Sequence, residues 1–479
     1  MDRLTAPVHG IEREGPIGRA ALRVSAWMER WFPDAFVFVL VAVVVSAVGA
    51  LALGVSPAGV SEAFGDGFWD LIPFAMQMTL VVIGGHVVAT SPPASRLIER
   101  LAALPRSGRG AVAFVALVAM LTSLLNWGIS IIFAGLLARR IARREELGMD
   151  YRAAGAAAYL GIGGVWALGL SSSAAQLQAN PGSIPASLMP VTGVIPFADT
   201  IFTWQSLTLA GTLVVVNVTI AFLSAPKARH ARTAQAMGVG LEDAEPERFR
   251  PRRPAEWLEY SPVLTLLVVV LGVGWLAQEF TSTDPIVAIS GLNTYNLLFL
   301  MLGMLLQWRP RAFVTAVGRA VPATAGVLLQ FPFYAGIAGI LTSAENAEGH
   351  TVAHAISTAF VQIATPGTFA LVIGAYSALL GFFVPSGGGK WIVEAPYVMQ
   401  SANDLQYNLG WTVQIYNAAE ALPNLLNPFW MLPLLGLMRL RAKHIVGFTA
   451  LQFAVNLPLV LGLLWLFGQT LPYEPPALP

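Results

Sequence analysis

Val384-Pro385-Ser386-Gly387-Gly388-Gly389-Lys390-Trp391 sits within the apolar region 366–401 and puts a cation where its neighbours are built for hydrocarbon. A charge at bilayer depth costs about 2.5–3.5 kcal/mol on insertion scales, so it is seldom kept without a partner or a task. Glycine tolerates positive φ and lets a backbone approach its neighbours closely. A tight turn alone would explain Gly387, Gly388 and Gly389, but not the lysine. Ser386, these glycines and Lys390 are therefore expected to begin a short helix whose positive end faces a cavity, an arrangement suited to a small carboxylate anion.

The rest of the chain agrees with a membrane setting. Its 479 residues are 56% hydrophobic and 11% charged, against roughly 25% charged in an ordinary soluble protein, and the mean hydropathy is +0.65. A formal net charge of +1 argues against nucleic acid as a partner, which requires a clustered basic surface. With no cysteine, disulfides, thiolate metal sites and thiol nucleophiles are excluded. The first thirty residues carry five arginines and no apolar run, so they do not read as a cleaved signal peptide.

Apolar runs long enough to cross a hydrocarbon core, about 20 residues when helical, occur near 34–54, 68–90, 201–224, 261–279, 292–308, 319–341 and 445–468. Two further crossings, near 153–190 and 408–437, are interrupted at Gly169-Leu170-Ser171-Ser172-Ser173 and at Leu422-Pro423-Asn424-Leu425-Leu426-Asn427-Pro428; both are expected to be broken helices. The regions 110–138 and 366–401 are each divided at their centre, by Asn126-Trp127-Gly128 and by Pro385 to Lys390, and are expected to be re-entrant hairpins. With a cytoplasmic N-terminus, 27 of the 28 lysines and arginines fall in cytoplasmic segments and the remaining one is Lys390. That is the positive-inside asymmetry, and it puts the C-terminus outside.

The predicted fold class is an all-α polytopic membrane protein with inverted repeats. A cytoplasmic segment 1–33 precedes a first repeat, 34–224, and a cytoplasmic linker, 225–260, leads to the connecting span 261–279. The second repeat, 292–468, then runs in the opposite orientation, and 469–479 is an outer tail. Each repeat has the order span, span, short amphipathic helix (near 92–106 or 350–363), hairpin, broken helix, span. Inverted repeats whose discontinuous helices meet near the midplane are the usual build of a secondary transporter.

Irregular backbone at membrane depth is tolerated only where it is buried in protein or lines a watery cavity, so the four interruptions are expected to converge. The expected substrate-binding set is Asn126, Trp127, Gly128, Ser171, Ser172 and Ser173 from the first half, with Ser386, Gly387, Gly388, Gly389, Lys390, Trp391, Asn424 and Asn427 from the second. Lys390 has three possible partners: the substrate, Glu394 four residues on, and Glu420. Glu420 is also a candidate proton carrier, because a carboxyl withdrawn from water titrates at raised pH. His86 reads as hydrogen-bonded structure, and Gly161-Ile162-Gly163-Gly164 as close helix packing. No HExxH, Walker A or GxSxG motif occurs, and no metal or organic cofactor is expected.

Five stretches carry a resemblance to the short-chain fatty acid transporter family, within the ion-transporter superfamily of elevator carriers. They are Gly65-Asp66-Gly67-Phe68-Trp69 with Met76-Gln77-Met78, Asn126-Trp127-Gly128, Gln330 to Gly336, Val384 to Gly389, and Asn427-Pro428-Phe429-Trp430. The resemblance covers about Trp31 to Phe467 and implies uptake of acetoacetate, butyrate or similar monocarboxylates. It further implies hairpins and broken helices that cradle substrate in a domain moving against a dimerising scaffold. The family often has histidine after the triple glycine where this chain has Lys390, and Ser171 to Ser173 replace a more glycine-rich segment, so the coupling ion stays open between H+ and Na+. The expectation is secondary active transport from the inner membrane. The alternatives are an intramembrane acyl-handling enzyme, which would need Ser386 and Glu420 as nucleophile and base, and a passive anion channel.

Overall fold

The computed structural model describes residues 35–227, 230–241, 253–382, 386–427 and 429–478. The expected cytoplasmic segment 1–33, parts of the linker, and Pro385 and Pro428 of the two interruptions lie outside the described residues. Described elements are helical, apart from one isolated bridge between Gly193 and Ala477 in the C-terminal tail. All seven continuous apolar runs form helices: Ala35–Ala52, Ile72–Ala89, Trp204–Ser224, Val263–Ser282, Leu292–Gln307, Ala325–Ser343 and Ala442–Gly468.

Among the described residues, seven helices are long and apolar enough to cross a bilayer, and two of them belong to interrupted regions: Gly108–Leu125 and the composite Tyr151–Ala179. Gly108–Leu125 was expected as half of a re-entrant hairpin, yet its 18 residues span about 27 Å at 1.5 Å per residue. The chain breaks at Asn126, whose extended backbone separates it from Trp127–Ala142, and Ser130 Oγ donates back to Ala119 O at 2.7 Å, so the two arms pack as a pair. The second hairpin is shorter in its first arm, Phe369–Gly381, and resumes as Gly387–Asp404.

Both broken helices appear where polar and glycine-rich segments interrupt apolar runs. The first winds as α-helix over Tyr151–Leu160, widens to a π-turn at Gly161–Val165, tightens at Trp166–Leu168 and breaks before Ser173–Ala179. Glycine is required there by packing: a Cβ on Gly169 would lie 2.3 Å from the Leu124 carbonyl oxygen, and one on Gly161 2.5 Å from that of Ala119. The first hairpin therefore presses directly on the first break. The second broken helix runs Leu409–Asn424 and Leu432–Met438.

Short helices Pro92–Ala102 and Val352–Ile363 occupy the expected amphipathic positions. Two more, Pro57–Gly67 and Pro310–Ala320, stand between the first and second helices of each half and were missed. Both begin at a proline, a residue whose fixed φ suits the first helical turn. The same order of elements thus occurs twice. Burial sorts them: every residue of Leu409–Asn424 is buried, whereas Val263–Ser282 buries only Thr265, Val269 and Leu276. The two broken helices are the most deeply buried, as expected when unpaired backbone must be kept from lipid, and the continuous helices Val263–Ser282 and Ala442–Gly468 are among the most exposed.

Candidate functional site

The four interruptions meet. Ser171 Oγ accepts the Trp127 N–H at 3.0 Å, tying the first break to the first hairpin tip. Ser172 Oγ donates to Asn417 of the second broken helix at 3.1 Å. A Cβ placed on Gly388 would lie 3.1 Å from Ser173 Cβ, so the second hairpin tip abuts the first break. The Trp127 and Trp430 rings close the remaining side, edge to face at 5.6 Å between centroids.

Between them lies a cavity of about 300 Å³, at the lower limit of ordinary ligand pockets. Trp127, Gly128, Ser173, Ser386, Gly387, Gly388 and Asn424 line it, joined by residues outside the expected set, chiefly Trp166, Gln330, Phe331, Ile131 and Ile132. Its walls are mostly hydrocarbon. Of its lining, Ser386 is 7% exposed, Ser173 7% and Asn424 1%, whereas Pro322, Leu432 and Pro433 are exposed. Ser386 caps Gly387–Asp404, its Oγ accepting the Gly389 N–H at 3.2 Å. The first N–H groups of such a helix have no intrahelical acceptor and attract anions. His86, expected to be hydrogen-bonded structure, is also among the residues lining this cavity.

Other expected site residues are brought near but spent on structure. Asn126 accepts the Ile129 N–H at 3.1 Å and donates to Tyr295 Oη at 2.9 Å, so it pins the hairpin tip to Leu292–Gln307. Gly389 faces Tyr334, Trp391 is fully buried on the Tyr416 ring, and Asn427 donates to Phe382 O at 3.4 Å.

Lys390 is 0% exposed and takes the ion-pair alternative. Its Nζ donates to Glu394 Oε1 at 2.8 Å, Ser377 Oγ at 2.8 Å and Ser377 O at 2.9 Å, which occupies all three ammonium donors. Ser377 Oγ in turn donates to Glu394 Oε2 at 2.8 Å, and the ammonium lies 4.4 Å from the centre of the Tyr416 ring. Ser377 went unnoticed because it stands thirteen residues away in an apolar run. The ammonium is absent from the cavity lining. Glu420, 1% exposed, is different: neither carboxylate oxygen has a hydrogen-bond partner among the described residues.

A family model described as short chain fatty acid transporter matches residues 16–467. The chain belongs to the short-chain fatty acid transporter family. A relative from Escherichia coli K12, provisionally named a short-chain fatty acid transporter, is 33% identical and aligns over 95% of this chain and 100% of its own. One from Haemophilus influenzae Rd with the same provisional name is 30% identical over 94% and 100%. The transporter also shares its fold with solved structures. The Alcanivorax borkumensis YdaH transporter matches with a TM-score of 0.57 at 16% identity, covering 95% of this chain and all of that one. Neisseria gonorrhoeae MtrF, titled as illuminating a class of antimetabolite efflux pumps, matches at 0.59 and 13%, covering 96% and 100%. The chain is thus a multi-pass membrane transporter, not an enzyme.

Proposed function

We propose that the transporter carries short monocarboxylates of the acetoacetate or butyrate type across the inner membrane by secondary active, alternating-access transport. The carrying observation is the cavity itself: its mostly apolar walls suit a short acyl chain, and its lining includes the buried Ser386, Gly387, Gly388 and Ser173. The carboxylate sits at the N-terminus of Gly387–Asp404, as a helix dipole and unpaired amides favour, and the acyl chain extends between Trp127, Ile131, Ile132 and Trp166. Two oppositely oriented repeats, each supplying one hairpin and one broken helix, form the moving domain of an elevator. The outer helices form its scaffold, and a homodimer is the favoured assembly. With the N-terminus in the cytoplasm, the exposed ends at Pro322, Leu432 and Pro433 face inward, so this conformation is open to the cytoplasm.

The test is uptake and counterflow of labelled butyrate by proteoliposomes, with and without Gly387→Ala. An added Cβ would lie 2.3 Å from Trp166 Cη2 and drive the indole across the cavity. Saturable counterflow in the wild type and at least a tenfold loss of affinity in the variant are expected; linear, non-saturable flux in the wild type would instead indicate a channel.

A further inference from the structure

The Glu420 carboxylate is withdrawn from water yet unpartnered, and its surroundings decide what it can bind. It lies on the second broken helix, outside the cavity lining itself but one turn before Asn424, which lines the cavity and whose amide nitrogen and oxygen also lack partners among the described residues. Tyr159 Oη, from the first broken helix, is likewise without a hydrogen-bond partner among the described residues. The ionisable groups near enough to act on the Glu420 charge are Lys390 and Glu394 on Gly387–Asp404, Tyr159 on Tyr151–Leu160, Tyr334 on Ala325–Ser343, and Tyr416 on its own helix. Lys390 and Glu394 neutralise one another. An ionised Glu420 therefore leaves one uncompensated negative charge in a dry site, which is among the most expensive arrangements a protein can hold.

Building on the monocarboxylate reading, we infer that Glu420 is the proton-coupling site of this carrier, loaded together with the substrate anion. The substrate carboxylate at Ser386–Gly388 and an ionised Glu420 would repel each other across Asn424, so the anion binds when Glu420 carries a proton. The ledger of charge then closes: empty carrier with ionised Glu420 and loaded carrier with protonated Glu420 plus one carboxylate have the same net charge. One proton and one anion cross together, without net charge.

The experiment uses the full-length protein. In weakly buffered detergent solution, wild-type affinity for butyrate is expected to be flat at low pH, where Glu420 is already protonated, and to fall by up to tenfold per pH unit once Glu420 ionises; over that second range the protein should take up as much as one proton per butyrate bound. In proteoliposomes, an inward proton gradient should drive early accumulation faster than the leak of protein-free vesicles, which is subtracted throughout, with no response of its extent to an imposed potential. Glu420→Gln should keep butyrate counterflow but lose gradient-driven accumulation, proton uptake and the pH dependence of affinity. Gradient-driven accumulation that persists in Glu420→Gln would overturn the inference, since the proton would then travel elsewhere or with the acid. So would wild-type accumulation driven by sodium at equal pH, or wild-type binding that takes up no proton and keeps a constant affinity at every pH at which the protein stays folded; this last measurement decides alone if the variant does not fold. Absence of any binding or counterflow in the wild type would bring down the monocarboxylate reading itself, and the coupling inference with it.

Discussion

Lys390 shows what a single buried charge costs and how it is held. All its donors end on Ser377 and Glu394, so its energetic role is set by the pair. Breaking a buried pair by removing one partner costs about 3–5 kcal/mol, whereas replacing both with apolar groups is often neutral. Lys390→Met is accordingly expected to destabilise the protein by that amount in thermal or denaturant unfolding in detergent. Lys390→Met combined with Glu394→Leu should recover most of the loss in a double-mutant cycle. If the double variant is stable yet has lost butyrate binding, the ammonium acts on substrate after all. The spacing of Lys390 and Glu394 made the pair readable in the sequence; Ser377 was unreadable, since only the folded hairpin brings it near.

At the scale of elements, the closing helices of the two halves, Trp204–Ser224 and Ala442–Gly468, are locked by a reciprocal amide pair. Asn217 Nδ2 donates to Asn456 Oδ1 at 3.0 Å and Asn456 Nδ2 returns a bond to Asn217 Oδ1 at 2.7 Å. Gln452 adds a bond to Asn217 O at 3.1 Å. These residues lie away from the cavity, so Asn217→Leu should lower stability by about 1–3 kcal/mol through the unsatisfied Asn456 while leaving butyrate affinity unchanged. Unfolding midpoints and a binding titration check the two halves of that statement. The sequence showed both helices plainly but not their contact, because an asparagine in an apolar run reveals that it needs a partner and not which one. Helix boundaries were legible from hydropathy and breakers, while Pro57–Gly67 and Pro310–Ala320 escaped because short surface helices carry no long apolar run.

For the whole molecule, alternating access makes a prediction that the absence of native cysteine makes easy to test. Gly326 lines the cavity, and a Cβ there would meet nothing closer than Gln330 Nε2 at 3.8 Å, so Gly326→Cys should fold and transport normally. In oriented vesicles a membrane-impermeant maleimide is expected to label it rapidly from the cytoplasmic face. Saturating butyrate should slow that labelling. Equal labelling from both faces at all times would contradict a carrier that opens to one side at a time.

Hydropathy, the distribution of cations and the placement of glycines and prolines by themselves determined that this chain is an all-helical membrane protein with four interrupted segments, because lipid leaves backbone groups no other way to be satisfied. They also marked Ser173, Ser386, Gly387, Gly388 and Asn424, which do line one cavity. Only the tertiary structure decided which polar groups are consumed in holding the interruptions together, as Asn126, Ser171 and Lys390 are, and which are left unpartnered, as Glu420 is. Satisfaction of a hydrogen bond is a property of two groups and the distance between them, and that distance is fixed by packing between segments far apart in the chain.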